Sequence, residues 1–255
     1  MRLGGYAHSD GITFFCEGML LKAKKRGNNP VYQFKWIKTP RWMRKGSDHP
    51  LLAGVNQLYY QWQIFDPWRR WGLLALMAAL LIDELWPISP IRYLLEGNIS
   101  PYWGWGVMII FILIRGRKVP RLLRYHGAEH KIINTYGRYG AVDYSMAKSA
   151  PCYHSYCGTN VVGLFLGLYG LLYVLGIDAI PLVIGLFLLA FPLARKMAQK
   201  PYSQWFFKGL QRITVWEPTE EELRLGIDCF HHLQQAQGIY RHEVKISTQR
   251  RNNSL

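Results

Sequence analysis

The chain has 255 residues, of which 50% are apolar and 15% aromatic, with ten Trp and a formal net charge of +15. That apolar content fills one sizeable core or a few membrane spans, and the positive excess fits nucleic acid, an anionic membrane face or the positive-inside bias of a multi-pass protein. Four scattered cysteines (Cys16, Cys152, Cys157 and Cys229) exclude a disulfide framework and suit a reducing compartment.

The opening "MRLGGYAHSDG" has no apolar h-region, so no cleavable signal peptide is expected. Residues 1–70 read as a basic cytosolic segment. Within it "ITFFCEGMLLKAKK" leads to the turn-like "RGNNP" and then "VYQFKWIK", where Tyr32, Phe34 and Trp36 alternate with Gln33 and Lys35. Period-two alternation beside a Gly-Asn-Asn-Pro turn predicts a β-hairpin. Next, Leu51, Val55, Leu58, Trp62 and Phe65 fall at helical spacing, for a helix that lies on a membrane or packs on the protein.

Four apolar runs follow, at 71–82, 102–114, 161–177 and 180–194. Each is shorter than the roughly 20 residues that cross about 30 Å of hydrocarbon. They are read as short transmembrane or re-entrant helices, helped by flanking Trp and Tyr. A purely soluble protein is not expected. Lys and Arg gather before the first run, at 115–124 and at 195–200, while the links inside each pair of runs hold few. The positive-inside rule then puts both termini and residues 116–160 in the cytoplasm.

The predicted fold is therefore an α-helical multi-pass membrane protein. About four short helices form two hairpins, 71–115 and 161–195, joined by a cytosolic loop at 116–160. The N-terminal segment holds the β-hairpin, and 196–255 forms a cytosolic C-terminal helix and tail. Thr219 and Glu222, after Pro218, match a capping box for that helix. The expected partner is a lipid bilayer with an anionic cytosolic leaflet, with a protein partner open through the basic N-terminal segment or the C-terminal helix. Nucleic acid is not expected, because the basic residues bracket the apolar runs and no binding module is present.

The chemistry-bearing motif is "YHGAEHK" at 125–131, which contains His126-x-x-Glu129-His130, the spacing of the inverted zinc-peptidase motif. On a helix over 121–136, His126 and His130 stand one turn apart and face the same way. Two such imidazoles form half of a site for zinc or a similar divalent ion. Glu129 sits about a quarter turn away, placed to touch a metal-bound water as a general base. Gly127 costs helix stability, so something is expected to approach the backbone there. Further ligands are offered by "PCYHSYCGTN" at 151–160, where His154 and Cys157 are separated by two residues.

"RYHGAEHKIINTY", then "HSYCGT", then an apolar pair, then "GLQRITVWEPTEEELRLGI" resemble the YqhQ-like family of bacterial membrane proteins. The resemblance covers roughly residues 120–230 and implies a predicted metal-dependent enzyme in the bacterial inner membrane. It marks His126, Glu129, His130, His154 and Cys157 as signature polar positions. The chain departs from the pattern at Ser155-Tyr156, where the family has Pro-Arg, and at Gly137, where an acid is usual.

Two functions stay open. In one, His126, His130 and one of His154 or Cys157 hold zinc with an open position for water, and Glu129 handles the proton in a hydrolysis of unspecified substrate. In the other, all four of His126, His130, His154 and Cys157 close a structural zinc site in a non-catalytic interaction or scaffold protein.

Overall fold

The computed structural model describes residues 3–16, 18–27, 29–37, 40, 50–85, 116–177 and 180–252. The chain divides into two compact units, residues 1–54 with 118–255, and residues 55–117.

The first unit begins with four strands, β1 (Gly4–His8), β2 (Gly11–Cys16), β3 (Met19–Arg26) and β4 (Asn29–Trp36). They form one antiparallel sheet in the order β1-β2-β3-β4. Gly27, with φ +63, supplies the left-handed residue that turns β3 into β4, and Arg26 pairs with Asn29 across the turn. Period-two alternation puts Ile12, Phe14 and Cys16 of β2 on the same face as Met19, Leu21 and Ala23 of β3, with which they pair. All six are buried.

That face packs against two helices more than a hundred residues away in sequence. One runs from Val119 to Tyr139 and the other from Glu220 to Asn252. Phe14 meets Phe230 edge-to-face at 6.3 Å, and Ile132, Ile227 and Leu233 join the same core. Truncating a fully buried Phe such as Phe14 costs about 3–5 kcal/mol, so this core fixes where the 119–139 helix lies on the sheet.

In the second unit, α1 (Pro50–Ile64) ends where the Arg70 guanidinium donates to Gln63 O and Phe65 O. α2 (Pro67–Leu85) follows, with Pro at its first position, where a missing N–H costs nothing. Returning to the first unit, α3 is Val119–Tyr139, α4 is Tyr144–Ser149, α5 is Gly158–Val174, α6 is Ile180–Met197, α7 is Pro201–Thr214 and α8 is Glu220–Asn252. α3 closes on Gly140, whose φ of 72 lets its N–H reach Tyr136 O. The N-terminus of α8 is a capping box: Thr219 N donates to Glu222 Oε2, and Glu222 N donates to Thr219 Oγ1.

The structure corrects the predicted multi-pass membrane fold. Among the described residues no single helix is long and apolar enough to cross a membrane. The 71–82 run lies in α2, which carries Arg69 and Arg70 at one end and Asp83 and Glu84 at the other. The uncharged stretch between them spans only about 18 Å at 1.5 Å per residue. The 161–177 run lies in α5, whose 17 residues reach about 25 Å. The 180–194 run lies in α6, which contains Pro192 and stops at Met197, where the chain bends by 114° into α7. Only that bent pair passes the length and composition test together. The 102–114 run lies outside the described residues. The architecture is mostly helical, with a four-stranded antiparallel sheet at its N-terminus.

Candidate metal centre

α3 presents His126 and His130 from consecutive turns, with ring centroids 4.5 Å apart. Both rings are tied down by main-chain carbonyls. His126 Nδ1 donates to Thr214 O at 3.0 Å, and His130 Nδ1 donates to Cys152 O. A carbonyl only accepts, so each neutral ring carries its proton on Nδ1 and keeps the Nε2 lone pair. That is how a metal-binding histidine is oriented from behind.

Cys157 supplies the third donor. It is the N-cap of α5, and its sulfur accepts from Thr159 N at 3.4 Å. The same sulfur lies 3.4 Å from His126 Nε2. The ligand atoms of His126, His130 and Cys157 all lie within 4.8 Å of one another, and His130 and Cys157 are buried. Tetrahedral zinc, with bonds of about 2.3 Å to sulfur and about 2.0 Å to nitrogen, holds such a pair about 3.6 Å apart. The three donors fit a zinc ion with little rearrangement.

Burial sets the protonation of every group around this point. Desolvation lowers the pKa of His126, and it holds His130 well below its ordinary value with the neighbouring His126 adding to the effect. Both are neutral ligands. Desolvation pushes the Cys157 thiol up to about 11, against the lowering effect of its bonds from Thr159. A thiolate there needs a cation beside it. Glu129 is buried and desolvation raises it to about 8. Among the described residues its carboxyl has no hydrogen-bond partner and no countercharge. A buried orphan carboxyl next to three soft donors is an electrostatic fault that a divalent ion repairs.

Residues 73–236 match the family described as a protein of unknown function (DUF1385). The chain belongs to this family. It is also 28% identical over 153 residues to "Uncharacterized protein YqhQ" of Bacillus subtilis (strain 168), an alignment covering 54% of this chain and 48% of the relative. The chain thus spans about half the length of the curated relative it matches. No solved structure matches.

All five sequence-predicted positions fall inside the matched family segment, and the structure separates them into roles. His126, His130 and Cys157 converge. Glu129 lies beside them, close enough to raise the Cys157 pKa. His154 stands apart from the three-atom group. Its ring centroid is 5.5 Å from that of His130, and its Nδ1 donates to Asn134 Oδ1 at 2.7 Å. Asn134 is itself fixed, because its amide donates to Pro151 O and Tyr153 O. Like the other two histidines, His154 is neutral, with its pKa lowered to about 4 by desolvation and then by His126.

Several supporting residues escape a sequence reading. Gln211 donates to His154 O and to Asn160 Oδ1 and accepts from His154 N, so it clamps the His154 loop onto α7. Buried Lys131 donates to Lys148 O and Ala150 O and pairs with Glu217 at 2.7 Å. It holds the strand of chain whose Cys152 carbonyl orients His130. Lys131 and Asn134 had a local signal, being next to His130 and one turn beyond it. Gln211 and Thr214 sit more than fifty residues from their partners, and only the "GLQRITVWEPTEEELRLGI" block pointed to them.

Gly127 explains how α3 and the 214–218 segment come so close. A Cβ there would lie 1.8 Å from Trp216 O, and Trp216 N donates to Leu123 O at 3.0 Å. The Trp216 main chain is what approaches the helix at Gly127. It sets Thr214 O at the distance His126 needs.

Proposed function

We propose that the chain is a metal-dependent enzyme with a zinc site made by His126 Nε2, His130 Nε2 and Cys157 Sγ. The observation that carries this reading is the convergence of those three donors, with both imidazoles oriented by carbonyls. Three protein ligands leave a position open, the mark of a catalytic rather than a structural site. Zinc bound there supplies a Lewis acid and a water acidic enough to attack at neutral pH, the chemistry of a hydrolase. Glu129 is the group that accepts and returns a proton, at a carboxyl oxygen whose pKa burial lifts towards neutrality. Cys157 is held at the N-terminus of α5, where the helix dipole favours negative charge on its sulfur. His126 and His130 stay neutral and fixed through Thr214 O and Cys152 O.

A second reading rests on His154. Asn134 holds its Nδ1, so its Nε2 is also free to donate, and a small turn of the 153–156 segment would bring it to the other three. The site is then a closed clip between α3 and α5, and the protein a non-catalytic interaction protein.

Elemental analysis and X-ray absorption of the purified chain, beside His130→Ala and Cys157→Ala, separate the two. Two nitrogens, one sulfur and one exchangeable oxygen around stoichiometric zinc support the enzyme. Three nitrogens and one sulfur support the clip. Wild-type protein without stoichiometric metal sinks both.

A further inference from the structure

Residues 159–194 contain one charged residue, Asp178. α5 and α6 pack side by side in this stretch, with Phe165 against Phe187 at 5.4 Å. Where the pair meets α7, it is a proper core: Val161, Leu164, Ala190 and Ala194 are buried around Phe207. Away from α7 that cover ends. Leu166, Leu171 and Ile184 are more than half exposed, and at the far end of α5 Val174 is 82% and Leu175 63% exposed. Among the described residues nothing covers them.

The exposed side chains of α5 do not form one stripe. Val162 and Leu166 lie on one side, Leu171 and Leu175 on another, with Val174 between. A second protein helix covers one stripe, whereas lipid wets a helix all round. From Leu166 to Ile177 the bare part of the hairpin reaches about 15 Å, half of a hydrocarbon core of about 30 Å.

The base of the hairpin has the opposite chemistry. Between residues 179 and 216 there are five cations, Arg195, Lys196, Lys200, Lys208 and Arg212, and no acid. α7 leaves α6 at 114° and exposes Tyr202, Trp205 and Ile213, Trp205 at 74%. Amphipathic aromatic rings and cations collected at one level are what an anionic headgroup layer receives. Its buried side carries Gln211 and Thr214, the residues that clamp the His154 loop and orient His126.

We infer that the α5–α6 hairpin seats in an anionic lipid bilayer from one side, without crossing it, while α7 lies along the headgroups. The surface is independent of what metal the neighbouring donors hold.

Flotation of the full chain tests this, with vesicles of phosphatidylcholine alone or mixed with phosphatidylglycerol. The expected result is flotation with the mixed vesicles, weakened several-fold by raised salt and much lower on neutral vesicles. Val174→Asp with Leu175→Asp should cut flotation at least about tenfold, because each carboxylate must enter hydrocarbon. Both positions are exposed, so far-UV circular dichroism should stay at wild type. Lys200→Glu with Lys208→Glu should remove the preference for anionic lipid. Equal flotation of the tip variant and wild type overturns the inference, as does equal binding to neutral and anionic vesicles. A lipid-free dimer that the tip variant abolishes makes a second copy the occupant and also overturns it. So does labelling of a Val174→Cys variant by an impermeant thiol reagent trapped inside the vesicles, which would mean that the hairpin crosses.

Discussion

The Glu129 carboxyl fills the space that a side chain at position 5 would need: a Cβ on Gly5 would meet Glu129 Cγ, Cδ and Oε1 at 2.5, 2.7 and 2.8 Å. β1 therefore forms one wall of the candidate centre, although no chemistry-bearing residue of β1 takes part. Gly5→Ala should displace Glu129 and cost about 1–3 kcal/mol by overpacking. In a Glu129→Ala background the same change should be nearly neutral, because the obstructing carboxyl is gone. A double-mutant cycle by urea unfolding measures the coupling. Additive effects would mean that the two residues do not share this space.

Gly127 and Trp216 make a tighter contact of the same kind. Gly127→Ala puts a methyl 1.8 Å from a main-chain oxygen, so the 214–218 segment must move away from α3. The expected cost is about 3 kcal/mol, at the upper end of overpacking effects. His126 loses its Thr214 acceptor in the process, so zinc affinity should fall about tenfold or more. Wild-type zinc affinity in a folded Gly127→Ala protein would show that Thr214 does not orient His126.

The local features of this site were legible in sequence, and the long-range ones were not. The His126–His130 turn, the capping box at Thr219 and Glu222 and the turn at Gly27 each depend on residues within four positions of one another. The pairing of His154 with Cys157 was read from a two-residue spacing that allows convergence. The chain instead turns between them, sending Cys157 to the start of α5 and His154 to Asn134. The apolar runs were read as crossings because hydropathy cannot tell a helix half-buried against α7 from one surrounded by lipid. The packing of the sheet on α3 and α8 left no signal in either local pattern, since it joins residues near 14 to residues near 230.

Lys131 and Glu217 form an ion pair with unequal ends. The lysine side chain is 4% exposed and the glutamate 69%. Lys131→Met leaves Lys148 O and Ala150 O without their donor, and should cost about 3 kcal/mol. It should also loosen Cys152 O, the acceptor of His130. Glu217→Gln removes only a screened surface charge and should cost less than about 1 kcal/mol. Thermal unfolding of the two variants decides the point, and similar losses for both would make the pair, rather than the two carbonyls, the source of stability.

In the metal-free chain, Glu129 links stability to pH with an unusual sign. Its pKa rises from an ordinary 4.5 to about 8 on folding, so between those values the folded state binds more protons than the unfolded state. Stability is then fullest below about pH 4.5 as far as this group is concerned, and is lost as pH rises towards 8, by on the order of 4 kcal/mol. His126, His130 and His154 act in the other direction, because their lowered pKa values remove stability as pH falls below about 6.5. Urea unfolding of chelated protein should therefore show a maximum on the acid side of neutrality. Glu129→Gln should flatten the alkaline limb while leaving the acid limb in place. Excess zinc should restore wild-type stability at pH 8 by mass action, because the folded state alone presents the three donors. An alkaline limb that is the same in wild type and Glu129→Gln would mean that the carboxyl is ionised in the folded chain and has a partner outside the described residues.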